Sequence, residues 1–235
     1  MNDSSTDTFH VSELFLLAAS FGGHVLFGLP EKKIFQLKGE EVFADAQKRL
    51  INKEILSADG KVTNRGAMII QALEHYYLSE KYVRINNLMF AFHNEYKDEL
   101  LILVEVEEKN LYKLVVASKA IVLKMLTEKF ELLTREPDET EQSFLKKELS
   151  HQERRETEEL EPGYELINME FFHLDERRQE VNNAKYYQQW LIFTKDEKQK
   201  LIMVDTVRRK YYHASQYWFL KLLFDEMEFP YKEAK

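Results

Sequence analysis

The sequence has no cysteine, and only seven glycines and four prolines among its 235 residues. Lack of cysteine excludes disulfides, thiolate nucleophiles and cysteine-based zinc sites. Scarce glycine leaves little material for loops that cradle phosphate, and no G-x-S-x-G, P-loop or G-x-G-x-x-G pattern occurs. No stretch reaches the roughly 18 apolar residues of a membrane span. The opening MNDSSTDTFH has no basic region followed by an apolar one, so no signal peptide is read and residues 1–8 form a polar tail. A cytoplasmic protein without membrane insertion is the expectation. Positive charge is also in deficit: 33 Lys and Arg against 41 Asp and Glu give a net charge of −8. That balance argues against nucleic acid as a partner and suits a basic one.

Chemistry-bearing clusters are equally sparse. The seven histidines are His10, His24, His75, His93, His151, His173 and His213, and none has metal-ligand spacing to another His or an acid. His93 and His173 occupy comparable strand positions and read best as a hydrogen-bonded structural pair. The carboxylates fall in solvated runs such as Glu105, Glu107 and Glu108, without the apolar enclosure that splits the pKa values of an acid and a base. No catalytic, cofactor-binding or metal-binding residue is expected.

What the sequence does hold is a core: 44% hydrophobic residues, with sixteen Phe and twelve Tyr. Ser12 is placed to cap a first helix that buries Leu14, Leu17, Ala18 and Phe21 and ends at Gly22-Gly23. A second helix spans Glu40 to Lys53, burying Phe43, Ala46 and Leu50. Asp59-Gly60 makes a tight turn before a third helix, capped at Thr63 or Asn64, with Met68, Ile69, Ala72, Leu73 and Tyr76 inward. This helix, wing and helix layout is winged-helix-like, but the third helix carries Arg65 as its only firm base, so a helical subdomain is the simpler reading.

From Lys81 the period becomes that of strands. Val83, Ile85, Leu88, Phe90 and Phe92 form one strand region, Leu100 to Val106 a second and Leu111 to Ala117 a third, with a polar hairpin at 107–110. A helix follows from Ser118 to about Leu133. Residues 135–161 are a charged surface helix or connector whose few large apolar side chains are Phe144, Leu145, Leu149 and Leu160.

The second half repeats the first. Ile85-Asn86 with Met89, Phe90, Phe92 and His93 is echoed by Ile167-Asn168 with Met169, Phe171, Phe172 and His173. The run 101–106 corresponds to Trp190–Lys195, whose turn lies at Asp196-Glu197-Lys198, and the helix at Val122–Leu126 to that at Phe219–Leu223. The prediction is one α+β domain over 1–235 with a largely antiparallel central sheet and a pseudo-twofold repeat. Its N-terminal half is 9–134 (helical part 9–80, first repeat 81–134), its linker 135–161 and its second repeat 162–230.

Val11-Ser12-Glu13-Leu14-Phe15-Leu16-Leu17-Ala18-Ala19, the glycine pair, the apolar stretch to Pro30 and the Asp59-Gly60-Lys61-Val62 wing resemble EspG-type proteins, the cytoplasmic chaperones of mycobacterial type VII (ESX) secretion. The pattern is closer still to a family encoded beside type VII loci in Gram-positive bacteria. The resemblance spans most of residues 9–230 as element order, and the charged linker departs from the mycobacterial members. It implies a non-catalytic chaperone that binds a helical secreted substrate before export. It also implies a partner surface drawn from Glu105, Glu107, Glu108 and Asn110 of the hairpin, a helix face of Phe144, Leu145 and Leu149, and the exposed part of the Trp190, Phe193 strand. An immunity protein masking the basic site of a toxin is the alternative, and a winged-helix regulator comes behind it.

Overall fold

A computed structural model describes residues 7–37, 39–93, 95–137, 141, 144–158, 165–174, 184–195 and 200–230. The chain is mixed α+β, a large antiparallel sheet plus helices. In order come β1 (Thr8–His10), α1 (Val11–Ala18), α2 (Lys32–Gln36), α3 (Glu41–Asn52), α4 (Asn64–Leu78), β2 (Lys81–Ile85), β3 (Leu88–Phe92), β4 (Glu99–Glu107), β5 (Leu111–Ser118) and α5 (Lys119–Lys129). Then follow β6 (Lys146–Glu148), α6 (His151–Glu158), β7 (Ile167–Leu174), β8 (Ala184–Lys195), β9 (Lys200–Asp205), β10 (Lys210–Ala214) and α7 (Gln216–Met227). The expected tail up to Thr6, Leu160 and the turn at Asp196–Lys198 lie outside the described residues. Two compact units result: Met1–Tyr82, Asn87–Ala117 and His173–Lys185 form the first, and Val83–Asn86, Ser118–Phe172 and Tyr186–Lys235 the second.

In the first unit α1 packs on α3 and α4, with Leu14, Phe15, Ala46, Leu50, Leu73 and Tyr76 buried. Ser12 is not the cap. It is buried and accepts from Arg49 Nη2 at 3.0 Å, while the His10 N–H donates to Glu13 Oε2 at 2.6 Å. Glu13 is itself fully buried and accepts from Lys53 Nζ at 2.9 and 3.0 Å, and the same ammonium donates to the Thr8 carbonyl at 2.6 Å.

Thr63 caps α4, as its spacing predicts, by accepting the Gly66 N–H at 3.1 Å. Gly66 is buried where a Cβ would collide with the Ile55 carbonyl, so only glycine lets the helix approach the wing this closely. The wing is a single bridge, Leu56 to Val62, across a turn in which Gly60 has φ +79°. Met68, expected inward, is 72% exposed. At about 100° per residue it stands roughly 140° around the helix from Leu73, and the inner stripe is Gly66, Leu73 and Tyr76.

The strands of this unit lie in the order β1-β5-β4-β3. β1 pairs antiparallel with β5 (Phe9 opposite Tyr112), and β3 with β4 (Phe90 opposite Ile102). The single strand region expected over 83–92 is two strands, because Asn86 turns the chain at φ +51°, a conformation Asn tolerates better than most residues.

In the second unit the order is β2-β7-β8-β9-β10-β6. Alternate residues Ile167, Met169 and Phe171 of β7 point into a core with Trp190, Ile192, Val122, Leu126, Phe219, Leu223 and Met227. Ser118 caps α5 and Ser215 caps α7. A buried polar network fixes the start of α7. Arg135 Nη2 donates to both Glu141 oxygens (2.8 and 2.6 Å), the Gln216 N–H donates to Glu141 Oε2 (2.8 Å), and Gln216 Nε2 donates to the Leu132 carbonyl (2.7 Å).

The charged segment does carry a surface helix, α6. The residues around Phe144, Leu145 and Leu149, however, are strand and not helix. The Ser215 N–H donates to Leu145 O and the Leu149 N–H to Tyr211 O, both at 2.8 Å, so the edge of β10 draws this stretch into β pairing over its helical composition.

Candidate functional site

Two surfaces and one histidine pair contain the residues most able to contact something else. The first surface is the β4–β5 hairpin. Its turn is rigid because Glu105 faces inward, accepting the Lys109 N–H at 2.7 Å and the Tyr112 hydroxyl at 3.1 Å. Lys109 takes φ +55°, and the Asn110 N–H closes the turn on Glu107 O at 3.1 Å. Asn110 O in turn accepts the Val11 N–H at 3.1 Å, which seats the turn against the start of α1. Glu105 and Asn110 therefore build the turn, whereas Glu107 and Glu108 present their carboxylates to solvent. Val106 precedes the turn on β4 at 52% exposed, and Val116, six residues beyond Asn110 on the neighbouring β5, is 49% exposed.

The second surface lies on β6, β10 and α7. Phe144 is 66% exposed and meets Tyr217 at 6.1 Å between ring centroids. Lys146 sits among three rings, and Arg154 of α6 lies over Tyr211 at 4.9 Å. Burial foremost, with Arg208 and Lys210 adding to it against Asp205, holds the Lys146 ammonium below the usual lysine range. Leu145 and Leu149 are half-buried, and Leu149 packs on a cluster of Phe193, Ile202 and Val204. Trp190 and Phe193 are only 1% and 9% exposed, so the strand expected to offer an open face has these two side chains inside the unit's own core. Their large apolar area, which made them candidates, is the reason they are buried.

The histidine pair is His75–His93, in place of the expected His93–His173. His93 Nδ1 accepts the N–H groups of Glu95 and Tyr96 at 2.9 and 3.0 Å. The neutral ring must then carry its proton on Nε2, which faces His75 Nδ1 at 2.8 Å. Both rings line a pocket of about 150 Å³ with Leu78, Ser79, Phe92 and Glu95. Among the described residues no group of three His, Asp or Glu side chains could hold a metal ion.

Burial foremost, and then the neighbouring His75, depress the His93 pKa against the pull of Glu95 and Glu99. A depressed folded value means the unfolded chain binds the proton first. The contribution to stability is whole above the unfolded value of about 6.5 and is lost as pH falls through the folded one. NMR titration should find His93 titrating below free histidine. The Tyr96 amide should lose protection as the ring protonates, since a proton on Nδ1 expels both N–H donors. A His93 midpoint at or above the free value would contradict this arrangement.

Among the described residues no helix is long and apolar enough to cross a membrane. Residues 3–235 match a family described as a domain of unknown function, DUF5081. A comparison with curated proteins finds no match.

Proposed function

We propose that this chain, which belongs to the DUF5081 family, is a non-catalytic cytoplasmic chaperone or adaptor that holds a helical secreted protein before export. The reading joins the resemblance to EspG-type proteins with one observation: the β4–β5 hairpin has a rigid turn at 105–110 and leaves two valines along its strands and two carboxylates at its turn exposed. Apolar side chains on a fixed strand pair offer a helix tip something to lie against without ordering cost. Acidic neighbours favour a basic rim on the partner.

A pseudo-twofold scaffold belongs to the same proposal. In the equated stretches β3, β4 and β5 correspond to β7, β8 and β9, and a Ser-capped helix closes each half, α5 and α7, with β10 added before the second. Asn86 and Asn168, the positions equated by the repeat, bond to each other. The Asn86 N–H donates to Asn168 O at 2.9 Å, and the Asn168 N–H to Asn86 Oδ1 at 2.7 Å.

The test is capture from an extract of the native host, using the wild type and the double variant Val106→Glu/Val116→Glu. The wild type should recover a small helical secreted protein. The variant should recover at least about tenfold less, the loss expected when a buried contact worth about 1.4 kcal/mol or more is removed. Its melting temperature should be unchanged, because both side chains are exposed. If the wild type recovers no helical secreted protein, or the variant recovers as much, the proposal fails.

A further inference from the structure

The ammonium of Lys146 lies 4.1 Å from the ring centroid of Trp218, 4.5 Å from that of Tyr212 and 4.9 Å from that of Trp190. Trp190 meets Trp218 edge-on at 5.6 Å and Tyr212 at 5.9 Å, so the three rings form a cage whatever fills it. They come from β8, β10 and α7, whereas the lysine comes from a strand of three exposed residues at the end of the strand order. The buried Trp190 indole N–H has no hydrogen-bond partner among the described residues, an unmet donor in the cage itself.

An aromatic cage recognises a cation through the negative faces of its rings. The outer edge of β10 recognises an extended backbone, the logic of strand addition. Residues 145–149 satisfy both requirements at once, pairing antiparallel with Lys147 opposite His213. Phe144 lies on Tyr217 on one side and Leu149 on its apolar cluster on the other. The occupant thus displays what fits: an aromatic residue two before a lysine, and a leucine three after it.

We propose that the Trp190–Tyr212–Trp218 cage and the β10 edge are a binding site for an extended, lysine-bearing segment of a partner protein, with residues 145–149 as the chain's own resident occupant. The β4–β5 hairpin plays no part in this site, so the failure of either test leaves the other proposal standing.

The chain's two tryptophans both belong to the cage, which makes intrinsic fluorescence a direct readout of its filling. The probe is a synthetic peptide with the sequence of residues 144–149, Phe-Leu-Lys-Lys-Glu-Leu, titrated into the full-length wild type and Lys146→Ala. Vacating the cage should shift the emission while leaving far-UV circular dichroism unchanged. The variant should bind the peptide at least about tenfold tighter than the wild type, whose cage is filled. Replacing the first lysine of the peptide by norleucine should cost the same factor or more. Equal affinity for wild type and variant, or for the two peptides, overturns the proposal. Should Lys146→Ala not fold, Lys146→Met keeps an apolar stem against the rings, removes the cation and is read by the same criteria.

Discussion

Glu13→Ala should lower the stability of the first unit by about 3–5 kcal/mol, a fall in melting temperature of roughly 10 °C. The mechanism is the stranding of a cation. Lys53 is 6% exposed and its ammonium has Glu13 and the Thr8 carbonyl as partners. Deleting the carboxylate leaves that charge in an apolar setting and also frees the His10 N–H at the start of α1. Arg49, whose Nε lies 3.4 Å from Glu13 Oε1, is 34% exposed and keeps access to water, so removing the two buried charges together, as Glu13→Gln with Lys53→Met, should recover most of the loss. A desolvated ion pair is about break-even against apolar neighbours, whereas a broken one is not. Thermal melts of the two single variants and the double variant measure the coupling. Additive losses would show that the pair does not act as described. Added salt should leave the differences between these melts nearly unchanged, because screening barely reaches a pair this deep.

Glu141→Ala should cost the second unit a similar amount, about 3–5 kcal/mol. Arg135 and Glu141 are 6% and 1% exposed at the side chain, and the carboxylate also takes the first N–H of α7 from Gln216. Its removal therefore uncovers a guanidinium and leaves the first N–H of α7 without its acceptor in one step, although the Ser215 cap remains. Arg135→Lys should also destabilise the unit, by roughly half as much, since an ammonium cannot reproduce the fork that meets both carboxylate oxygens. Hydrogen exchange should show α7 amides losing protection in both variants ahead of those in β7. Uniform loss across the unit would place the network's effect elsewhere.

The elements most legible in the sequence are those whose signal is local. Leu100–Val106 and Leu111–Ala117 alternate and are bounded by a polar turn, and they are β4 and β5 nearly to the residue. Thr63 announces its helix because a cap needs only its next three residues. The failures share the opposite property. Glu13 reads as an acid complementing a helix dipole, but its role is set by Lys53, forty residues away. Lys146, Lys147 and Glu148 have the composition of a surface helix and become a strand because β10 presents an open edge beside them.

The candidate surfaces divide in the same way. Glu107 and Glu108 are exposed as a polar turn should be, while Glu105 is turned inward by contacts with Lys109 and Tyr112. The crowd of aromatics in the C-terminal half is plain in the sequence. That Trp190, Tyr212 and Trp218 converge on one lysine is not, because their directions depend on a strand, an edge and a helix start meeting in space. The break between β2 and β3 had a readable cue in Asn86-Asn87, outweighed by the apolar run on both sides.

Each unit ends its strand order in a strand of only three residues, β1 against β5 in the first and β6 against β10 in the second. A bare strand edge invites any passing backbone to stack onto it. These short pieces work as seals, shielding a long ladder with a handful of amides. The molecule's readiness to join other chains is therefore governed at its margins, and the two margins differ: β6 is three exposed residues, whereas β1 carries the buried Phe9 and the carbonyl that holds Lys53.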